Sequence, residues 1–172
     1  MLDFADDHTV LARDGQSSNV YRIDIAKRPV AIDTLFTDGL FATVSPDGKR
    51  LAWHTAPAGG LFVSAYPSRG EQQQVAAIGF EPLWLSDTEL LYRSGVTWYR
   101  ARFDARTGEM AGPTRVWGQD ARFFDTPGWS NRLSHDGGII YAQSPAVSTA
   151  RFVRFIPDFV TRVKAAVQEA NR

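Results

Sequence analysis

Short runs rich in aromatic and β-branched residues recur along the chain, and some of them alternate with polar residues at every second position. In residues 19–25, Tyr21, Ile23 and Ile25 alternate with charged or polar neighbours. Runs of the same kind occupy residues 61–66, 97–103 and 150–155. Alternation with a period of two in short segments indicates half-buried β-strands. The pattern therefore predicts an all-β protein.

A turn motif recurs between these strands at a regular spacing. Its clearest copy is Ser-Pro-Asp-Gly at residues 45–48, and related copies begin at positions 5, 86 and 134. Successive anchors are 40, 41 and 48 residues apart. A period of about 40 to 45 residues is typical of one blade of a β-propeller.

Each period contains about four predicted strands, as a propeller blade does. We predict a partial or open β-propeller over residues 1–156, followed by a helix over 157–172. The blades are expected to be four-stranded and antiparallel, in repeat units near residues 5–36, 37–79, 80–118 and 119–156. The first unit shows no evident strand before its turn motif. Ser94-Gly95 is a good candidate for a two-residue hairpin turn.

Aspartate and glycine in the turn motif have a structural explanation. Aspartate accepts backbone hydrogen bonds within a turn, and glycine tolerates a positive φ. We therefore interpret Asp47, Gly48, Asp136 and Gly137 as structural turn residues. In the last segment, proline at a plausible first helical position and apolar residues at 156, 159, 160, 163 and 167 predict an amphipathic helix of about three turns. It is expected to cover the last blade.

Composition excludes several classes of protein. The 172 residues contain 19 basic and 19 acidic side chains, so the formal net charge is zero. A protein without excess positive charge is not expected to bind nucleic acid. The chain has no cysteine, which excludes thiol catalysis, disulfides and cysteine-ligated zinc but leaves the cell compartment open. No segment approaches the roughly 20 apolar residues that span a bilayer. We expect a soluble protein without a membrane span.

The repeat resembles a known family. Residues 45–53, Ser-Pro-Asp-Gly-Lys-Arg-Leu-Ala-Trp, with Gly-Leu-Phe-Val at 60–63, resemble the WD-like repeat of TolB-type β-propellers. Residues 66–75, 81–86 and 91–95 are closer still to the C-terminal propeller of bacterial serine/threonine protein kinases and transcription regulators. The resemblance covers nearly the whole chain and is specific for the fold, but it says little about function. It implies a bacterial protein of the cytoplasm or periplasm.

The chain also departs from that family. The first unit lacks Ser-Pro and Gly, the third lacks Pro and Gly, and Ile-Pro-Asp-Phe stands where the kinase-associated tails usually show Asn-Trp. Family propellers commonly close with six or more blades. Four repeat units therefore imply either a C-terminal piece of a larger propeller or an open arc that pairs with another copy or segment.

Candidate chemistry is sparse. His8, His54 and His135 share no ligand spacing with carboxylates, so no metal site and no cofactor are predicted. Ser134, His135 and Asp136 are adjacent in a turn and cannot form a hydrogen-bonded triad. No phosphate-binding loop, dinucleotide fingerprint or kinase catalytic loop is present. We expect no catalytic residues.

The longer spacing before the fourth unit is the irregular feature of the repeat. Its extra residues fall around 119–128, and long loops on repeat scaffolds tend to carry binding residues. Arg122, Phe123, Phe124 and Trp129 are therefore the candidate binding residues. In the alternative interpretation, Phe123 and Phe124 fill the gap between two blades.

These observations favour a non-catalytic propeller module that recognises a protein or small ligand, as the sensory or docking part of a larger bacterial protein. One alternative is the propeller of a hydrolase resembling prolyl oligopeptidase. Another is a self-assembling half-propeller, in which exposed end strands pair two copies into a homodimer.

Overall fold

A computed structural model describes residues 2–14, 17–55, 59–68, 70–119, 131–133 and 139–141 of the chain. The side chains of residues 2–4, 131–133, 139 and 141 are not part of this description. The helix predicted over 157–172 and most of the predicted fourth repeat unit lie outside the described residues.

The described chain forms three four-stranded antiparallel sheets, and in each sheet the strands follow one another in sequence order. The first sheet contains β1 Leu2–Phe4, β2 Thr9–Arg13, β3 Val20–Asp24 and β4 Ala31–Phe36. The second contains β5 Gly39–Val44, β6 Arg50–Thr55, β7 Leu61–Ala65 and β8 Gln73–Ala76. The third contains β9 Phe80–Ser86, β10 Glu89–Ser94, β11 Thr97–Arg102 and β12 Arg115–Gln119. A further hairpin consists of β13 Asn131–Leu133 and β14 Ile139–Tyr141.

Successive sheets pack face to face, with their first strands side by side. Contacts run from β1 to β5, from β5 to β9 and from β9 to β13. One apolar cluster lies between the first and second sheets and includes Leu11 and Trp53; another lies between the second and third and includes Leu61 and Trp84. Four-stranded meanders stacked in this way are β-propeller blades. The predicted all-β propeller class is confirmed.

The first blade has an inner strand that the sequence pattern did not reveal. Residues 2–4 form β1, whose backbone pairs with β2 in the register Leu2 with Ala12 and Phe4 with Val10. The expectation that the first unit lacks an evident preceding strand is therefore corrected. Three residues with an acidic residue at the centre are too short to show alternation, so pairing with β2 decides their conformation.

The second blade is buried on both faces because it lies between two others. Five consecutive residues of its strand β6, Arg50 to His54, are buried. In β2 only Leu11 is buried. Strands with cover on both faces lose the alternation that marks a half-buried strand.

Two predicted turns can be compared with the structure directly. In the β5–β6 turn, Asp47 Oδ1 accepts hydrogen bonds from Ser45 Oγ (2.7 Å) and from the backbone N–H of Lys49 (3.2 Å). Gly48 has a φ of 68°. Burial opposes ionisation of Asp47, but these hydrogen bonds outweigh it and lower the pKa of the carboxyl.

The two-residue hairpin turn predicted at Ser94-Gly95 is present one residue later. Ser94 pairs with Thr97, so the loop consists of Gly95 and Val96. Gly95 has a φ of 58°, which its first loop position requires in a hairpin of this length.

The inner strands β5 and β9 each carry an irregularity at the corresponding place. Phe41 has a φ of 50° and Glu81 a φ of 52°, and each lies where pairing with the second strand shifts register. A bulge bends the strand and re-aims a side chain. In both blades this happens near the end of the sheet opposite the turn between the first and second strands.

A buried hydrogen bond joins the second and third blades. The indole Nε1 of Trp84, in β9, donates to the carbonyl oxygen of Thr43, in β5, over 3.2 Å. Trp84 is 4% exposed and its ring also contacts Phe103 at a centroid distance of 5.6 Å. The bond therefore fixes how the two inner strands lie side by side.

Replacing this donor tests its contribution. In Trp84→Phe the carbonyl of Thr43 loses its donor, and we expect the free energy of unfolding to fall by about 1 to 3 kcal/mol. The control is Trp117→Phe, on the half-exposed indole of β12, with an expected change within about 0.5 kcal/mol. Urea unfolding of both variants measures the difference. Equal losses would show that the inter-blade hydrogen bond contributes nothing of its own.

Candidate functional site

A cleft of about 570 Å³ opens between the second and third blades, at what we term the lower end of the sheets. The lower end carries the β5–β6 turn and the loops β7–β8 and β11–β12. A volume of this size lies in the range of small-molecule sites, roughly 300 to 1,000 Å³. The lining residues are mostly polar: Lys49, Arg50, Val63, Ser64, Ala65, Glu71, Gln72, Gln73, Ala105, Arg106, Thr107, Gly108 and Glu109.

The β11–β12 loop, which forms one wall, is shaped by Asp104. Its Oδ1 accepts hydrogen bonds from the backbone N–H groups of Arg106 (2.8 Å) and Thr107 (2.7 Å). The Asp104 carbonyl accepts from Gly108 N over 2.9 Å, and its own N–H donates to the carbonyl of Glu109 over 2.8 Å. An aspartate that bonds backbone groups two and three residues further on makes a compact turn. The loop therefore has one defined conformation.

The same bonds determine the charge of Asp104. Hydrogen bonds from the backbone N–H of Thr107 and then of Arg106 lower the pKa of this carboxyl below its ordinary value. An ionised carboxylate accepts both bonds, so the loop keeps its acceptor throughout the neutral pH range.

Arg50 connects the cleft to the blade junction. It is 8% exposed at the first position of β6, where Nη1 donates to the carbonyl of Asp87 (2.8 Å) and Nη2 to the carbonyl of Asp104 (3.1 Å). Both carbonyls belong to the third blade. Arg50 thus acts as a clamp between the second and third blades. Both terminal nitrogens of its guanidinium already donate to protein carbonyls.

The remaining lining offers both signs of charge and one buried acceptor. Lys49 and Arg106 are exposed cations, and Glu71 and Glu109 are exposed anions. The amide oxygen Oε1 of Gln73, in β8, is buried and has no hydrogen-bond partner among the described residues. A buried acceptor without a donor is costly and rare. A ligand with an N–H group would satisfy it.

The residues predicted from the sequence as a binding site cannot be compared with this cleft. Arg122, Phe123, Phe124 and Trp129 lie outside the described residues, as do the turn residues Asp136 and Gly137. Asp47 and Gly48 lie in the β5–β6 turn, directly before the lining residue Lys49.

Sequence reasoning missed the role of Arg50 and of Gln73. One available signal was an arginine opening a strand whose next residues are apolar, because an arginine at a buried position needs partners. Gln73 gave no signal, since it sits in a run of three glutamines at 72–74 and only the pairing of β7 with β8 decides which of them faces the cleft.

In the described ranges, no group of three or more histidine and acidic side chains is arranged to hold a metal ion. Among the same residues, no helix has the length and apolar character that crossing a lipid bilayer requires.

Comparison with known proteins finds similarity among solved structures. No protein-family model matches the chain, and no curated protein matches it. Among solved structures, it is similar to the β-propeller domain of the Trilobed protease from Pyrococcus furiosus, described as having an open velcro topology. The sequences are 15% identical, the TM-score is 0.43, and the match covers 64% of this chain and 38% of that one. This chain thus spans well under half of that protein chain, and the fold assignment rests on the sheets themselves.

The clamp formed by Arg50 can be tested with a shorter cation. In Arg50→Lys a single ammonium cannot serve both carbonyls, so we expect the free energy of unfolding to fall by about 1 to 3 kcal/mol. Arg115→Lys, on the exposed part of β12, is the control and should change it by less than about 0.5 kcal/mol. Urea unfolding measures both variants. An unchanged stability of Arg50→Lys would contradict the clamp.

Proposed function

We propose that this chain is a non-catalytic β-propeller module that recognises a protein segment or small polar ligand, as the sensory or docking part of a larger bacterial protein. The observation that carries the proposal is the cleft between the second and third blades, with its fixed walls and with Gln73 Oε1, which is buried and has no hydrogen-bond partner in the described part of the chain. The repeat around residues 45–53 supports a TolB-type, WD-like family assignment as part of the same proposal.

The walls of the cleft favour a polar ligand that carries both charges. Exposed cations at Lys49 and Arg106 and exposed anions at Glu71 and Glu109 can each pair with an opposite charge on a ligand. The buried Gln73 oxygen accepts from an N–H group, which every peptide unit supplies. A short extended peptide with one acidic and one basic side chain meets all three requirements.

The walls are also fixed before the ligand arrives. The β11–β12 loop is held by the hydrogen bonds of Asp104, and Arg50 ties that loop to the second blade. A site that is ordered in advance loses less conformational entropy on binding. The absence of catalytic motifs from the sequence supports recognition rather than turnover.

Titration with defined peptides tests this proposal. The probe is acetyl-Glu-Gln-Lys-amide, compared with the uncharged acetyl-Gln-Gln-Gln-amide, and the readout is the set of backbone amide NMR shifts of the protein. We expect the charged peptide to shift the amides of residues 71–73 and 105–109, and to bind more tightly than the uncharged one at low salt.

Two neighbouring glutamines provide matched variants. Gln73→Leu removes the buried acceptor and should weaken binding about fivefold, the equivalent of one hydrogen bond of about 1 kcal/mol. Gln74→Leu changes the exposed neighbour on β8 and should leave the affinity unchanged. Shifts confined to other parts of the protein, or equal effects of the two variants, would refute the cleft as the site. Hydrolysis of the peptide that one substitution abolishes would refute the non-catalytic role.

A second proposal concerns self-association through the edge of the third blade. β12 is the outermost strand of its sheet among the described residues, and Val116 and Trp117 are 61% and 50% exposed. An edge strand with exposed apolar side chains offers backbone groups for pairing with another chain. We propose that two copies pair through β12 as a homodimer.

Light scattering over a range of protein concentrations tests the dimer. We expect dimers at about 100 μM for the unchanged chain and monomers for Val116→Lys, because a charge on an edge strand opposes pairing. Ile32→Lys, at the exposed outer strand of the first blade, is the control and should leave the dimer intact. Monomers at all concentrations would exclude this mode of assembly.

A further inference from the structure

Three arginines lie on one face of the third blade, in its two outer strands. Arg100 and Arg102 belong to β11, and Arg115 is the first residue of β12. Arg100 is directly opposite Arg115 in the register of the two strands, and Arg102 lies two residues further along β11, on the same face. Like charges directly opposite each other in a sheet are destabilising. The fold therefore brings three positive charges together although their repulsion opposes it.

This face of the third blade is turned away from the cleft. Ala101 and Phe103 alternate with the arginines and pack in the apolar cluster between the second and third blades. Successive side chains of a strand point to opposite faces, so the arginines point away from the second blade. A pocket of about 90 Å³ lies on their side, and its described lining residues are Arg100, Arg102, Ala111, Pro113 and Arg115. The pocket and the cleft have no described lining residue in common.

The β11–β12 loop forms the uncharged wall of this pocket. The backbone N–H of Ala111 donates to the carbonyl of Arg102 over 2.8 Å, which holds the second half of the loop against the end of β11. Gly112 follows with a φ of 107°, a conformation that glycine adopts without strain, and leads into the lining residue Pro113. The wall is therefore held by backbone contacts and not by the arginine side chains.

A single carboxylate serves the three guanidinium groups. Oε1 of Glu89, at the start of β10, lies 2.7 Å from Nε of Arg102 and 3.8 Å from Nη1 of Arg100. Arg115 is exposed and forms no ion pair within the described ranges. Three positive charges and one negative charge leave an excess of two positive charges around the pocket.

We propose that this pocket binds a phosphate monoester group, held by Arg100, Arg102 and Arg115. A phosphate monoester carries about 1.5 to 2 negative charges at pH 7, which matches the excess positive charge. Arginine presents its N–H groups in a planar fork that suits phosphate oxygens. The pocket is well below the roughly 300 Å³ at which small-molecule sites begin, so it takes the charged group and leaves the rest of the ligand outside.

The charge excess favours a monoester over the phosphodiester of a nucleic acid. Each phosphodiester carries one negative charge, and a chain with a formal net charge of zero has no long-range attraction for a polyanion. The monoester can come from a small phosphorylated molecule or from a phosphorylated side chain of a protein, because both present the same group. The proposal does not depend on the function proposed for the cleft.

Titration with phosphate compounds at constant ionic strength tests the pocket. The probes are methyl phosphate for a small monoester, acetyl-phosphoserine N-methylamide for a phosphorylated side chain, and dimethyl phosphate for a diester, with sodium chloride as the reference. NMR signals of the backbone amides of residues 100–102 and 114–115 and of the arginine Nε–H groups report binding. We expect saturable shifts with both monoesters and about tenfold weaker binding of the diester. Tighter binding of the phosphoserine compound than of methyl phosphate indicates a protein source, and the reverse order indicates a small molecule.

Variants of Arg115 test the role of its charge and of its fork. Arg115→Gln should weaken methyl phosphate binding about tenfold, the loss of one charge-assisted hydrogen bond. Arg115→Lys keeps the charge but not the planar fork and should weaken binding about threefold. Lys27→Gln, at an exposed cation of the first blade, removes the same charge elsewhere and should leave the affinity unchanged.

Glu89→Gln separates binding from a structural role. The amide oxygen of the variant can still accept from Arg102 while the negative charge is lost, so the affinity for methyl phosphate should rise about fivefold. Loss of packing alone would not raise the affinity. Linear shifts without saturation, an unchanged affinity in Arg115→Gln or in Glu89→Gln, or dimethyl phosphate binding as tightly as methyl phosphate would overturn the proposal.

Discussion

The need to bury both faces of each sheet is the constraint on which the rest of this structure depends. A four-stranded meander has two faces. In the second blade, the first blade covers one face and the third blade covers the other. Trp53 packs toward the first blade, against Phe36 at a centroid distance of 4.2 Å, while Leu61 and Val63 pack toward the third. Burial of apolar area of this kind is the dominant favourable term in folding. The cleft and its charged side chains lie at one end of the sheets, outside these apolar contacts.

The two ends of the stack treat their polar groups differently. At the lower end, the Arg50 guanidinium donates to two backbone carbonyls. The other charged side chains there are exposed and include both cations and anions. At the opposite end, His54 is buried against the rings of Phe41 and Phe80, and the buried Arg93 forms an ion pair with Glu81. Desolvated charges interact strongly and exposed ones weakly. The exposed side chains of the lower end are thus suited to broad, adaptable contacts.

The sequence was sufficient to predict the fold class, because the repeat fixes the architecture and the strand patterns agree with it. The sequence was insufficient where contacts between distant residues, and not the local pattern of apolar and polar residues, decide the structure. β1 has only three residues, too few for a period of two to be recognised, so its existence depends on pairing with β2. The hairpin turn at Gly95 and Val96 was displaced by one residue, since the register of β10 with β11, not the position of glycine alone, sets the loop.

The candidate sites were harder to predict for a related reason. Arg50 and Asp104 are 54 residues apart in sequence, and only the stacking of the blades brings the guanidinium to that carbonyl.

Both described polar links between the second and third blades end on main-chain carbonyls: Arg50 on those of Asp87 and Asp104, and Trp84 on that of Thr43. A carbonyl is present whatever side chain the residue carries. Side chains on the rim of the cleft, such as Arg106 and Glu109, can therefore be exchanged without loosening the junction beneath them. The blade interface is therefore a constant framework. The side chains that set the specificity of the cleft can vary at little cost to the free energy of folding.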